Sequence, residues 1–262
     1  MTTSDSILSL LPKKRDLYYG GAWHAPQGGY QDTFNPATGE SLGPVAEANA
    51  QDIERAYQAA QAAFEPWRRL KPLERANLLR KVAAVLREHA FELALIDAAN
   101  CGNPISEMQR DAVIAATQIE YYAGLATEIK GETLPMGDGI LNYSMREPYG
   151  VCARIVAYNH PLMFSAGKMA PPLVAGNTVI MKPPYQAPLS AYRMMELIDG
   201  ILPPGVLNIV SAGTAGSQAL VNHPGIPRLA LIGSVPTGRA IAKAAAKASS
   251  ATSQIMPQSL AC

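Results

Sequence analysis

The sequence predicts an α/β protein: a parallel sheet with helices on both faces, joined to a helical N-terminal segment and a protruding β-hairpin. Three observations carry that prediction. After residue 150, short apolar strands alternate with helical patterns at the spacing of parallel βαβ units. Before it, four stretches repeat apolar residues at helical intervals. Between them, "EIKGETLPMGDGILNYSMREP" is extended on both sides of a turn at Asp138 and Gly139.

In order along the chain, "LYYGGAWHA" places Gly20 and Gly21 between apolar residues and predicts a hairpin, and "NPATGE" is a turn. Asn49 with Asp52 three residues on predicts a capped helix start, with Ile53, Ala56, Tyr57, Ala60 and Phe64 on one face and Pro66 as its end. A second helix carries Leu79, Val82 and Leu86. A third stops at Gly102 and Pro104, and a fourth sets Met108, Ala112, Ala115, Ile119 and Tyr122 toward a core. From there "GVCARIVAY", "NTVIMKP", "GVLNIV" and "RLALIG" read as strands. The helices between and after them are "APLSAYRMMELIDG", "AGSQALVNH" and "TGRAIAKAAAKA".

Composition narrows the function classes. The 262 residues are 48% hydrophobic with a formal net charge of +1, ample for a core. There is no signal-like start and no run of roughly 20 apolar residues to span a bilayer, which predicts a soluble cytoplasmic protein without a membrane partner. Cys101, Cys152 and Cys262 stand far apart, as do the four histidines, so no disulfide framework and no metal site is expected. Charge is uneven: residues 1–150 hold 14 Lys/Arg against 19 Asp/Glu, whereas 151–262 hold 8 against 2. The second part favours an anionic ligand, but its basic residues are too dispersed for nucleic acid.

The dinucleotide fingerprint G-x-G-x-x-G is missing. Two glycine-bearing turns, "VSAGTAGS" and "LIGSVPTG", each follow a strand and open a helix, where free N–H groups attract anions. In the second, Gly233 offers close approach, Ser234 a hydroxyl and Gly238 close packing. Lys182 ends an apolar strand, the position from which open α/β sheets reach a ligand. Asn159 lies in the turn after a strand, where its amide either meets an oxyanion or closes the turn.

Taken together, "NPATGE", "EPYGVCARIVAYNHPL", "KMAPPLVAGNTVIMKP", "PPGVLNIV" and "LIGSVPTGRAI" resemble the aldehyde dehydrogenase superfamily in order and spacing, from about residue 18 to about 248. The resemblance implies a Rossmann variant without the glycine fingerprint, and oxidation of an aldehyde to a carboxylic acid with NAD or NADP through a cysteine nucleophile and a glutamate base. It implies that Asn159 contributes to the oxyanion hole and that Lys168 lies beside the catalytic centre. It further implies that Ile155, Val156, Ala157 and Tyr158 line the cofactor, with Tyr158 at a usual tryptophan. Lys182 would contact the adenosine ribose, and Gly233, Ser234 and Gly238 would cover the pyrophosphate.

The division that follows is 1–126 for the N-terminal strand and helical part, 127–148 for an oligomerisation-type arm, 149–248 for the Rossmann-like NAD(P)-binding part, and 249–262 for a tail outside the family pattern. Two departures stand inside the match: Tyr185 occupies the position of a common ribose glutamate, and Pro236 enters the first turn of a helix. Beyond it, "SATSQIMPQSLAC" replaces the family's L-E-L-G-G-K strand, so the base, the nucleophile and the catalytic domain are expected to be missing, and Cys262 is not expected to be a catalytic thiol. A bare sheet edge is expected there. The reading is a truncated aldehyde dehydrogenase, inactive alone. Its alternatives are a non-catalytic NAD(P)-binding or assembly module, as a homo-oligomer or with a full-length homologue, and a decayed gene product.

Overall fold

The computed structural model describes residues 7–248 and 251–255. Its centre is a seven-stranded sheet in the order β11-β10-β7-β8-β9-β1-β2. Five of these strands are parallel: β7 (Val151–Ile155), β8 (Thr178–Lys182), β9 (Leu207–Ile209), β10 (Arg228–Ile232) and β11 (Ala251–Ile255). The hairpin of β1 (Leu17–Tyr19) and β2 (Ala22–His24) extends the sheet antiparallel to β9. Its two-residue loop is Gly20–Gly21, both with positive φ, as the tightest hairpin turn requires. A separate pair, β3 (Tyr30–Phe34) and β4 (Ser41–Ala46), follows.

Helices cover both faces. α1 (Ala50–Arg69), α7 (Thr214–Val221) and α8 (Val235–Ala248) pack Ile53, Ala56, Leu220 and Ile241 against Ala153, Ile180 and Leu231 of the sheet. The other face takes α2 (Pro72–Glu88), α3 (Ala90–Cys101), α4 (Ile105–Gly124), α5 (Pro161–Val174) and α6 (Leu189–Ile198), with Leu79, Ile96, Ile119, Met169 and Tyr192 against Val179, Met181 and Ile209. Alternate residues along each strand serve opposite faces, so β8 is buried throughout.

Sequence signals set most helix ends. Asn49 accepts from the amides of Gln51 and Asp52, while Asp52 accepts from the Asn49 amide, closing a capping box on α1. Gly102 ends α3 in the left-handed region at φ 81°. Pro66 does not end α1, which runs on to Arg69. Trp67 is fully buried with its indole N–H donated to the Leu173 carbonyl at 3.1 Å, and that anchor outweighs the bond the proline removes.

The arm forms as expected, with β5 (Thr133–Pro135) paired to β6 (Leu141–Tyr143) and both strands exposed. The expected bare edge beside β10 is not found. The strand–helix alternation continues past residue 248: β11 pairs with β10 in parallel register, Leu231 opposite Gln254, and covers that edge. A polar, β-permissive stretch completes a sheet when its neighbour presents free ladder groups.

Candidate functional site

From β7 the chain proceeds to β8 and β9 on one side, then returns to β10 and β11 on the other. The point of reversal lies between β7 and β10. In open α/β sheets ligands bind there, outside the carboxyl ends of the strands. The carboxyl edge carries the turn after β7, Lys182 and Tyr185 after β8, Gly213 after β9, and Gly233–Ser234 after β10.

The turn after β7 is pinned at three points by α3, α4 and the loop between them. Asn103 donates its side-chain N–H to the Asn159 carbonyl at 2.6 Å. His160 donates from Nδ1 to the Asp111 carboxylate at 2.6 Å. The Leu162 amide, in the first turn of α5, donates to Asp97 at 3.1 Å. The Asn159 carboxamide itself makes no hydrogen bond among the described residues, so its donors stay available while its backbone is fixed. Ile155 and Val156 are buried, Ala157 is half-buried and Tyr158 is 57% exposed at the mouth of the turn. Val156 also donates to the Lys182 carbonyl at 3.3 Å, tying the two strand ends together.

Asn103, Asp97 and Asp111 were not among the expected site residues. Their signal was present all the same: Asp97 and Asp111 fall on the buried stripes of α3 and α4, where a carboxylate is placed only with a partner.

Lys182 is 7% exposed, and its ammonium reaches one acceptor, the carbonyl of Pro183 at 3.3 Å. Burial lowers its pKa to about 8. Tyr185 is 41% exposed, its phenol pushed up by burial and by Glu47. Glu47 is a further residue the sequence did not single out; a side chain at Gly213 would run into its carboxylate and would lie 3.2 Å from the Tyr185 ring. It arrives from the segment between β4 and α1, remote in sequence from every motif of the carboxyl edge.

The turn after β10 differs from expectation. Gly233 has no positive φ, and a β-carbon there would stand 3.1 Å from Leu231, so its glycine reflects local packing. Ser234 spends its hydroxyl at home, 2.9 Å from the Thr237 hydroxyl and accepting the Thr237 amide at 3.4 Å. Pro236 has no N–H to offer, while Gly238 is buried in the first turn of α8 with its amide bonded to the Ser234 carbonyl. Lys168, on α5, lines a cleft of ≈ 20 Å³ with Arg154, Val156 and Ile232. Burial and the Arg154 charge lower its pKa. The structure therefore gathers Asn159, Lys182 and Tyr185 with Gly233–Ser234 along one edge, and sets Lys168 beneath it on the α5 face.

No described cysteine is activated. Burial raises Cys101 to about 11 and Cys152 to about 12, so both are thiols at neutral pH. Cys262 lies outside the described residues.

A doubly wound sheet with a reversal crevice, a buried strand-end lysine and glycine-bearing turns defines an α/β protein of the nucleotide-binding, Rossmann-like class. The sequence profile of the aldehyde dehydrogenase family matches residues 23–256. Aldehyde dehydrogenase tropH of Talaromyces stipitatus is 46% identical over 239 residues, 90% of this chain and 46% of that protein. A solved NAD+ complex of aldehyde dehydrogenase from Bacillus cereus superposes at TM-score 0.91 with 34% identity, covering 98% of this chain and 53% of that one. An E. coli NADP-dependent enzyme superposes equally, at TM-score 0.91 with 31% identity, over 95% and 52% of the two chains. The chain belongs to the aldehyde dehydrogenase family and spans about half the length of these relatives.

Proposed function

We propose that this chain is the nucleotide-binding part of an aldehyde dehydrogenase that oxidises an aldehyde to a carboxylic acid with NAD or NADP. The observation that carries the reading is the convergence of Asn159, Lys182 and the Gly233–Ser234 turn on the carboxyl edge around the strand reversal. The donor set fits a dinucleotide. A buried ammonium with a single backbone acceptor has donors to spare for ribose or phosphate oxygens.

When bound, the nicotinamide would accept the hydride. The chain's own contributions are then to seat the nucleotide on Lys182 and the segment Ile155–Tyr158, and to aim the Asn159 amide at the oxygen that becomes an oxyanion. Asn103, Asp111 and Asp97 hold that amide in place from behind. With both described cysteines protonated, the nucleophile in this reading comes from outside the described residues, by way of further polypeptide or a partner.

Thermal unfolding in the presence of NAD and of NADP tests the proposal. A ligand that binds only the folded chain raises stability by RT ln(1 + [L]/Kd), about 1.4 kcal/mol at ten times Kd. That should lift the midpoint by about 3 °C. No shift at millimolar concentrations of either nucleotide, from a chain with a cooperative transition, would sink it.

The second role, assembly, is favoured by the arm. Leu134, Ile140, Leu141 and Tyr143 are all exposed there, on a two-stranded hairpin that is marginal in water without a neighbour. We expect light scattering to show at least a dimer, and Leu141→Lys with Tyr143→Lys to shift it toward monomer. A wild-type chain that is monomeric at tens of micromolar would remove the arm from the assembly reading.

A further inference from the structure

We propose that Glu47 is the carboxylate that reads the adenosine ribose, and that it makes this chain select NAD over NADP. The inference rests on the nucleotide-binding reading above and names the group that sets its specificity.

Glu47 is delivered to the carboxyl edge by a fixed backbone. Three successive amides are bonded across the fold: Ala46 to the Arg15 carbonyl at 2.9 Å, Glu47 to the Gly29 carbonyl at 2.8 Å, and Ala48 to the Ser211 carbonyl at 2.8 Å. The last of these ties the segment directly to the residues following β9. Its side chain then crosses Gly213 toward the Tyr185 ring, so the missing β-carbon at 213 is what gives the carboxylate its room.

The carboxylate is also unsatisfied. Half-buried, it accepts no hydrogen bond and forms no ion pair among the described residues. The other half-buried glutamates among the described residues, Glu92, Glu120 and Glu196, all have side-chain partners. A fixed carboxylate with free lone pairs suits the two adjacent hydroxyls of a ribose, each an O–H donor. In doubly wound sheets an acid near the end of the second strand bonds the ribose 2′-hydroxyl. Here β8 is that second strand, and Tyr185 just beyond it is no acid. Glu47 brings the charge to the same corner from another element. A 2′-phosphate there would meet a carboxylate at close range, with Lys182 as the nearby cation shared by either nucleotide.

The competing role is local: Glu47 also stands at the start of α7, where a negative charge favours the helix dipole. Calorimetric titration of the full chain with NAD and NADP separates the two. The wild type is expected to bind NAD at least about tenfold tighter than NADP. Glu47→Gln should weaken NAD about tenfold, since hydrogen bonds to charged groups carry that much, and bring the two affinities within about threefold. Glu47→Asp, which keeps the charge, should retain the discrimination while weakening NAD. Exposed Glu54→Gln is the control and should change neither.

A folded Glu47→Gln chain that keeps the wild-type ratio would overturn the inference and leave the nucleotide site intact. So would a wild type that binds NADP as tightly as NAD. A wild type that binds neither overturns the parent reading and this one together. Should Glu47→Gln fold poorly, loss of discrimination in Glu47→Asp would decide against it in the same way.

Discussion

Replacing Lys182 by methionine is expected to weaken nucleotide binding and to make the free chain more stable. The two effects have one cause. The Lys182 ammonium is almost fully buried with one carbonyl neighbour, and no carboxylate pairs with it among the described residues. The only acids after residue 150 are Glu196 and Asp199. Glu196 is bonded to Arg193 and the Lys14 amide, and Asp199 to the Tyr18 hydroxyl. Burial alone therefore sets the pKa, lowering it from 10.5 to about 8. A basic group lowered on folding binds fewer protons in the native than in the unfolded chain between about pH 8 and 10.5. Stability accordingly rises with pH across that window, and the whole penalty, about 3 kcal/mol, is present below pH 8. Lys182→Met removes it, and denaturant unfolding should show the gain at pH 7 and its disappearance at pH 10.5. An anionic ligand draws on the same strained charge, so binding should weaken 10- to 100-fold in the variant, the range for a lost hydrogen bond to a charged group. A variant less stable than wild type at pH 7 would mean that the ammonium is satisfied in the free chain. One that binds nucleotide normally would move the site away from β8.

The strand-end position of Lys182 is legible in the sequence because its signal is local: a cation closing a run of apolar β-formers. The same holds for the Asn49–Asp52 cap, the Gly20–Gly21 turn and the left-handed Gly102, each decided by neighbours in the chain. What could not be read depends on distant segments meeting. Glu47 precedes the Asn49 cap of α1 by two residues and looks like any surface acid until Gly213, after β9, and Tyr185 are brought against it. Asn103, Asp97 and Asp111 act on a turn 49 to 65 residues later in the chain. Ser234 shows the same dependence on context: a hydroxyl before a helix reads equally as a ligand or as a cap, and in the free chain it contacts Thr237 as a cap does. Pro66 fails in the same way, because the force that carries α1 past it comes from Trp67 locking onto α5.

The other large effect belongs to Asp97, and its pH dependence runs opposite to that of Lys182. Its carboxyl is fully buried between α3 and the start of α5, where it accepts the Leu162 amide. Burial raises its pKa to about 7; Ser190 and the Leu162 amide pull the other way, Asp111 adds to the rise and His160 opposes it. An acid raised on folding holds its proton longer in the native chain, between about pH 3.8 and 7. Stability should therefore fall as pH rises through that window, by about 4 kcal/mol, with the full cost present above pH 7. Asp97→Asn keeps an acceptor for Leu162 without the charge. It should be more stable than wild type at pH 8 and nearly equal to it at pH 4, measured by urea unfolding. Asp97→Leu also removes the charge but leaves the Leu162 N–H buried without its acceptor, a cost of about 1–3 kcal/mol. The pair thus separates charge from geometry: nucleotide binding should survive in the asparagine variant and weaken in the leucine variant, because only the latter frees the turn that carries Asn159. Equal binding in both would show that Asn103 and Asp111 suffice to hold it, and that the Asp97 charge is retained against its own cost for a reason other than the placement of that turn.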